Sequence, residues 1–157
     1  MSDKLNILAK EIIQENEYLT LATIDENNHP WVCILAYAFD DKYNFYFISL
    51  PTAKHSTHIN KNKHVSFSIF DSRQNFGYGT GLQIEGKVEE VQDKQLSTMK
   101  NVYFERNYPF GNINNEFMKG IESLIQKKIY RFYKIMPIKV WINDPDAETD
   151  KRAQVDL

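Results

Sequence analysis

Apolar and polar residues alternate with a period of two along much of the chain and recur at helical spacing in a few other stretches. Leu5, Leu8, Ala9 and Ile12 recur near helical spacing, and Ser2 can cap the free backbone N–H groups before them, so residues 3–16 are expected as an amphipathic helix. Tyr18–Ile24, YLTLATI, is β-branched and apolar, and DENNHP supplies turn residues before a second run at 31–39, WVCILAYAF. That pair reads as a hairpin. DDKYN makes the next turn and Phe45–Ser49, FYFIS, a third strand. Connections this short cannot hold crossover helices, so the sheet is expected to be antiparallel.

The pattern changes after Pro51. Thr52 is expected to cap a short helix running to about Asn62. Alternation resumes in HVSFSIF, where Val65, Phe67 and Ile69 share a face, and in LQIEGKVEEV, where Leu82, Ile84 and Val88 do. Between these two strands, residues 71–81 hold three of the six glycines and read as a flexible loop. Asp93 is expected to cap a helix through about Asn107, and NEFMKGIESLIQKK suggests another. IYRFYKI with KVWIN forms the last strand, and residues 145–157 read as a polar, loose tail. Six or more strands with short links and a few helices give a mainly β, α+β chain: a closed or partly closed antiparallel barrel with peripheral helices, one domain over 1–144.

Composition narrows the classes. A chain of 157 residues, 42% hydrophobic, suffices for one core. A formal net charge of −2 argues against a surface built throughout to grip nucleic acid or anionic lipid. The longest apolar runs have strand length, and the first residues lack signal-peptide character, so a cytoplasmic protein without a membrane segment is expected. A single cysteine, Cys33, cannot pair internally.

Charge is uneven within that frame. No acidic residue lies between Asp41 and Asp71, whereas Lys42, Lys54, Lys61, Lys63, His55, His58 and His64 do. Thr52 and Lys54 at a helix start bring together a hydroxyl, a cation and free N–H groups, the donor set of a phosphate dianion. A solvated lysine face on a short helix remains the other reading. His55 and His58 are spaced HxxH, but no cysteine or carboxylate nearby completes a metal shell and the flanking lysines oppose a divalent ion, so they are expected as surface histidines without metal. Cys33 sits mid-strand with no base beside it and is expected to be an inert thiol. Aromatics interleaved with lysines also describe a single-strand nucleic-acid module, which the net negative charge disfavours. No GxSxG, P-loop or GxGxxG is present.

The order of segments resembles a known family. LATIDENNHPWVCILAYAFDDKYNFYFISLPTAKHSTHINKNKHVSFSIF, then LQIEGKVEEV and IYRFYKIMPIKVWIND, is similar over residues 18–144 to the pyridoxamine 5'-phosphate oxidase-like FMN-binding split-barrel proteins. The resemblance implies a six- to seven-stranded split barrel that forms a homodimer and binds FMN at the subunit interface. It places Lys54 and Thr52 on the flavin phosphate, with Ile48 and Ser49 just before them. Val32, Cys33, Ile34 and Leu35 fall on the strand whose backbone passes the flavin ring, and Gln83 near the ring or ribityl chain. The implied activity is electron transfer from a reduced nicotinamide or flavin donor to a small substrate; a barrel that holds FMN or haem without turnover is the alternative. The second strand reads VCILAY where the vitamin B6 oxidases carry an arginine and a lysine, and the turn reads TAK in place of an arginine-lysine pair. Of the matched basic positions Lys54 alone is kept, so pyridoxine phosphate is not the expected substrate. Arg106 or Arg131 could serve a second phosphate only across a dimer interface.

Overall fold

The computed structural model describes residues 2–111 and 113–157, and the side chain of Ser2, with its expected cap, lies outside the described residues. The first helix, α1 (Ser2–Glu15), buries Leu5, Ala9, Ile12 and Ile13 as its spacing predicts. Strands β1 (Tyr18–Ile24) and β2 (Pro30–Ala36) form the expected hairpin, with Thr20 opposite Ile34 and Ala22 opposite Val32. Its turn is built on Asp25, whose Oδ1 accepts from the N–H groups of Asn27 and His29 at 2.8 Å each, with Asn28 at φ 63°. The same device recurs between β3 (Ala38–Phe39) and β4 (Phe45–Ser49). There Asp40 Oδ1 accepts from Lys42 and Asn44 at 2.9 Å each, and Tyr43 takes φ 54°.

The run at 31–39 is not one strand. It breaks at Tyr37, whose N–H donates to Glu17 O at 3.0 Å and whose hydroxyl donates to Ile13 O at 2.6 Å. Before the break β2 pairs with β1; after it β3 pairs with β4. A fully buried tyrosine anchored at both ends thus moves the chain from one neighbour to another.

Helix α2 (Lys54–Lys61) leads to β5 (His64–Phe70), and β6 (Gly81–Glu90) follows the glycine-containing loop. A short 3₁₀ turn at Asp93–Gln95 precedes α3 (Leu96–Phe104), so Asp93 does not cap a continuous helix. Helix α4 (Asn115–Gln126) is capped by Asn114, whose Oδ1 accepts from Glu116 N at 2.7 Å. The last long strand, β7 (Arg131–Asn143), runs straight through Pro137. It can do so because the register shifts between Glu85 and Gly86, which leaves Ile138 unpaired beside the proline. Gly86 is required there, since a Cβ would stand 2.8 Å from Ile135 Cγ2.

The expected loose tail instead contains β8 (Arg152–Val155), antiparallel to β7. Ala153, Val155 and Leu157 alternate and pack on the core, a period-two signal masked by the charged residues around it.

All pairings are antiparallel, in the order β2-β1-β5-β6-β7-β4-β3, with β8 on β7. The ends of that order, β2 and β3, flank Tyr37, so the curled sheet returns on itself as a split barrel. Leu21, Phe67, Ile84 and Val140 sit side by side across four strands and fill its interior. A second core lies outside the barrel wall, where Tyr46 and Phe132 pack beneath Tyr103 of α3 and Ile125 of α4.

Candidate functional site

The pleat that points Leu21, Phe67 and Ile84 inward must point their neighbours outward. One outward row reads Ile34, Thr20, Ser68, Gln83 and Trp141; the next reads Val32, Ala22, Ser66 and Glu85. Alanine, serine and threonine keep the middle of this surface low. Val32, Glu85 and Trp141 stand at its margins, and together they enclose an open recess of about 460 Å³. No helix covers it. Val32 and Ile34 are 54% and 71% exposed, high values for aliphatic strand residues.

Gln83 lines this recess. Its Nε2 donates to Asn143 Oδ1 at 3.0 Å, while its Oε1 is shut off from water and has no hydrogen-bond partner among the described residues. An orphaned acceptor of this kind costs about 1–3 kcal/mol, and an oxygen shut off from water is equally shut off from a ligand in the recess while the side chain keeps this position. The floor of small side chains leaves room for a flat ring, and the wall of Val32 and Trp141 supplies apolar contact. These features fit the isoalloxazine of a flavin.

The nine residues singled out by sequence separate into groups. Val32, Ile34 and Gln83 come together on the outer face. Cys33 and Leu35, one position out of phase, turn toward the core, and burial pushes the Cys33 thiol up to about 11. Ile48 packs beneath the outer helices. Ser49 is buried and hydrogen-bonded to His55 Nε2 at 2.7 Å. Thr52 is exposed and caps nothing, because the helix starts at Lys54 with Ala53 as its N-cap and no side-chain cap bond. Lys54 extends its ammonium over the ring of Trp31, 4.1 Å from the centroid, next to Val32 on β2. Among the described residues Lys54 joins no ion pair.

The histidines of α2 are not at the surface. His55, Ser56, His58 and Ile59 form the buried face of the helix, and His58 Nδ1 lies 3.1 Å from Thr23 Oγ1. Burial, and secondarily His58, hold His55 below the ordinary imidazole range. Each imidazole has its own hydroxyl partner, and no group of three metal-ligating side chains occurs among the described residues.

Arg106 and Arg131 are also engaged. Arg106 donates to Asn16 O at 2.6 Å and Ile13 O at 3.2 Å, capping the end of α1, and stacks on Tyr37, Phe39 and Tyr108. Arg131 pairs with Glu90 at 3.1 Å. Trp31, Trp141 and Asn143 are not among the nine residues that sequence singled out. The two tryptophans stand on strands whose alternation was legible, but pairing across strands gives them their neighbours.

The sequence model described as pyridoxamine 5'-phosphate oxidase matches residues 6–130. The chain belongs to this family. No curated protein matches it. Among solved structures of the same fold, an FAD-binding protein from Mesorhizobium loti is 18% identical, with a TM-score of 0.65 over 87% of this chain and 91% of that one. The haem storage protein HutZ from Vibrio cholerae is 19% identical, with a TM-score of 0.64 over 85% and 89%. A conserved hypothetical protein from Mycobacterium tuberculosis is 19% identical, with a TM-score of 0.71 over 93% and 86%. Among the described residues, no helix is long and apolar enough to cross a membrane.

Proposed function

We propose that this member of the pyridoxamine 5'-phosphate oxidase family binds FMN on the outer face of β1, β2, β5 and β6, and that a second copy of the chain closes over it. The flavin supplies two-electron transfer between a nicotinamide or flavin donor and a small substrate. The chain's part is to bind, orient and exclude water: Val32, Gln83 and Trp141 line the recess that takes the ring, and Lys54 holds the phosphate. The observation that carries this reading is the open recess itself, a low floor of Thr20, Ala22, Ser66 and Ser68 beside an apolar wall of Val32 and Trp141. The exposed Val32 and Ile34 beside the recess support the dimer, since aliphatic side chains left in water on a flat strand favour burial by a partner. Pyridoxamine phosphate is not the proposed substrate. It needs a second phosphate site, and the two arginines nearest that role are bound to α1 carbonyls and to Glu90.

The fold also holds a haem storage protein, so a barrel that carries FMN or haem without turnover is the competing reading. Absorption spectra of the purified protein titrated with FMN, and separately with haem, decide between them. A bound-flavin spectrum reducible by NADH or NADPH supports the proposal. A Soret band at stoichiometric haem with no flavin binding overturns it.

A further inference from the structure

The outer face ends differently on the two sides of the ring recess. At the Phe70 end, residues 71–80 form an arm clasped at its base by Gln74. The Gln74 Nε2 donates to Asp71 O and Thr80 O at 2.8 Å each, and its Oε1 accepts from Thr80 N at 2.7 Å. Tyr78 N donates to Asn75 O at 3.1 Å and Gly77 takes φ 84°, a turn that sets Phe76 and Tyr78 at the tip. Phe76 is fully exposed and Tyr78 nearly so. Both line an open cleft of about 960 Å³ together with Ser68 and Gln83, outward residues that also line the ring recess, so the arm stands on the outer side of the sheet. At the His64 end lies a second open recess of about 330 Å³, whose lining includes Ile24, Pro30, Val65 and the half-exposed Ile138. It shares Ala22, Ser66 and Glu85 with the ring recess.

Charge distinguishes the two ends as well. Asp144 and Glu148 line the cleft beside the arm, whereas Lys63 and Lys87 flank His64 of the second recess in sequence and across the strand pair. None of the four joins an ion pair among the described residues. Two copies stacked about a two-fold axis along the strands would set arm on arm and carboxylate on carboxylate. With the axis across the strands, the acidic arm end of each copy meets the lysine end of the other, and the contact is made twice. We propose that two copies of this chain pair in the second way, each seating Phe76 and Tyr78 in the recess between Pro30 and Ile138 of the other. Because Ala22, Ser66 and Glu85 belong to both recesses, the arm of one copy then borders the ring held by the other, and the site is incomplete without it. This rests on the dimer of the FMN reading and adds the residues that close it.

Sedimentation of the full chain over a concentration series, without flavin and with FMN, reads the pairing, and urea unfolding at low concentration reads the chain alone. Phe76→Ser should weaken self-association about tenfold or more, the scale of an aromatic anchor lost from an interface, and leave the unfolding midpoint unchanged. Lys87→Glu and Glu148→Lys should each weaken it about threefold. Both changes in one chain should restore most of the loss, because the exchanged ends are again complementary. Single losses that merely add overturn the orientation of the two copies. A dimer indifferent to Phe76→Ser overturns the inference and leaves the dimer of the FMN reading standing, whereas a wild-type monomer overturns both. A chain that stays monomeric, but whose FMN affinity or binding to phosphatidylcholine vesicles depends on Phe76, assigns the arm to ligand or lipid and overturns the inference too. Pairing that depends on Phe76 in a protein that binds no FMN supports the inference and removes the FMN reading, so the two failures are distinguishable.

Discussion

The two halves of the barrel's outer wall are treated in opposite ways. Over β4 and the first part of β7, outward Tyr46 and Phe132 are 1% and 0% exposed because α3 and α4 lie on them. Over β1, β2 and β5, outward Val32, Ile34 and Phe70 are 54%, 71% and 54% exposed, with Thr20, Ala22, Ser66 and Ser68 between them and Tyr18 exposed at the start of β1. The strands follow the same pleat on both sides. Where the chain covers its own sheet it places large aromatics, and where it leaves the sheet bare it keeps the centre small and the margins apolar. The first half is thus finished by this chain and contributes to folding. The second has no such cover among the described residues, and in the proposed reading a flavin and a second copy of the chain supply it.

The sharpest way to break that contrast is on the covered half. Phe132 packs edge-on against Tyr103, with ring centroids 5.7 Å apart, and against Phe104 at 6.4 Å. Phe132→Ala should cost about 3–5 kcal/mol of stability, the transfer and cavity cost of a large buried aromatic. Urea unfolding checks it. A loss below about 1 kcal/mol would mean that α3 and α4 are only loosely held and that the two faces are not different in kind.

On the bare half the large effect should fall on ligand. Lys54→Ala should weaken FMN binding by about 1.5–3 kcal/mol, the scale of a charge-assisted hydrogen bond to a phosphate. Riboflavin, which lacks the phosphate, should be nearly indifferent. Equal losses for the two ligands would reassign Lys54 to its contact with Trp31, which fixes the start of β2 whatever is bound.

How far each face could be read from sequence follows from the same contrast. Inward residues such as Leu21, Phe67 and Ile84 announce themselves by alternation, and both aspartate-built turns lie where turn residues cluster. The Tyr37 switch was illegible because it depends on partners in α1 and at Glu17, and neighbouring apolar residues continue through it. The histidines were misplaced for a related reason. Ile59 marks the buried side of α2, and His55 is its i−4 neighbour on that side, but lysines on the other side dominated the composition. Of the candidate site, Val32, Ile34 and Gln83 were within reach of sequence, whereas Trp141 joins it only through pairing of β7 with β6.

The buried imidazole offers a smaller effect at the seam between the halves. His55 is held below its ordinary range by burial, so near pH 6.5 the unfolded chain binds its proton more readily than the folded one. Its contribution is therefore fully present above the unfolded value and is lost as pH falls from about 6.5 toward the folded value. One proton limits the slope to about 1.4 kcal/mol per pH unit. His55→Gln should flatten the stability profile between about pH 7 and 5 relative to wild type, measured by denaturant unfolding at each pH. An unchanged slope would place the acid sensitivity elsewhere.

The smallest effect on folding should come from Ile34, and it sharpens the contrast most. Ile34 is 71% exposed and stands opposite Thr20, so Ile34→Ser removes almost no contact within the chain. Its folding free energy at low protein concentration should stay within about 0.5 kcal/mol of wild type, as for most surface substitutions. Self-association should nonetheless weaken, because in the proposed dimer this side chain is buried and its replacement by a hydroxyl removes apolar contact at a closely packed surface. Sedimentation across a concentration series reads the association, and unfolding at low concentration reads the chain alone. Loss of folding stability comparable to that of Phe132→Ala would show that β2 already serves the barrel core, and unchanged association would move the partner surface away from this face.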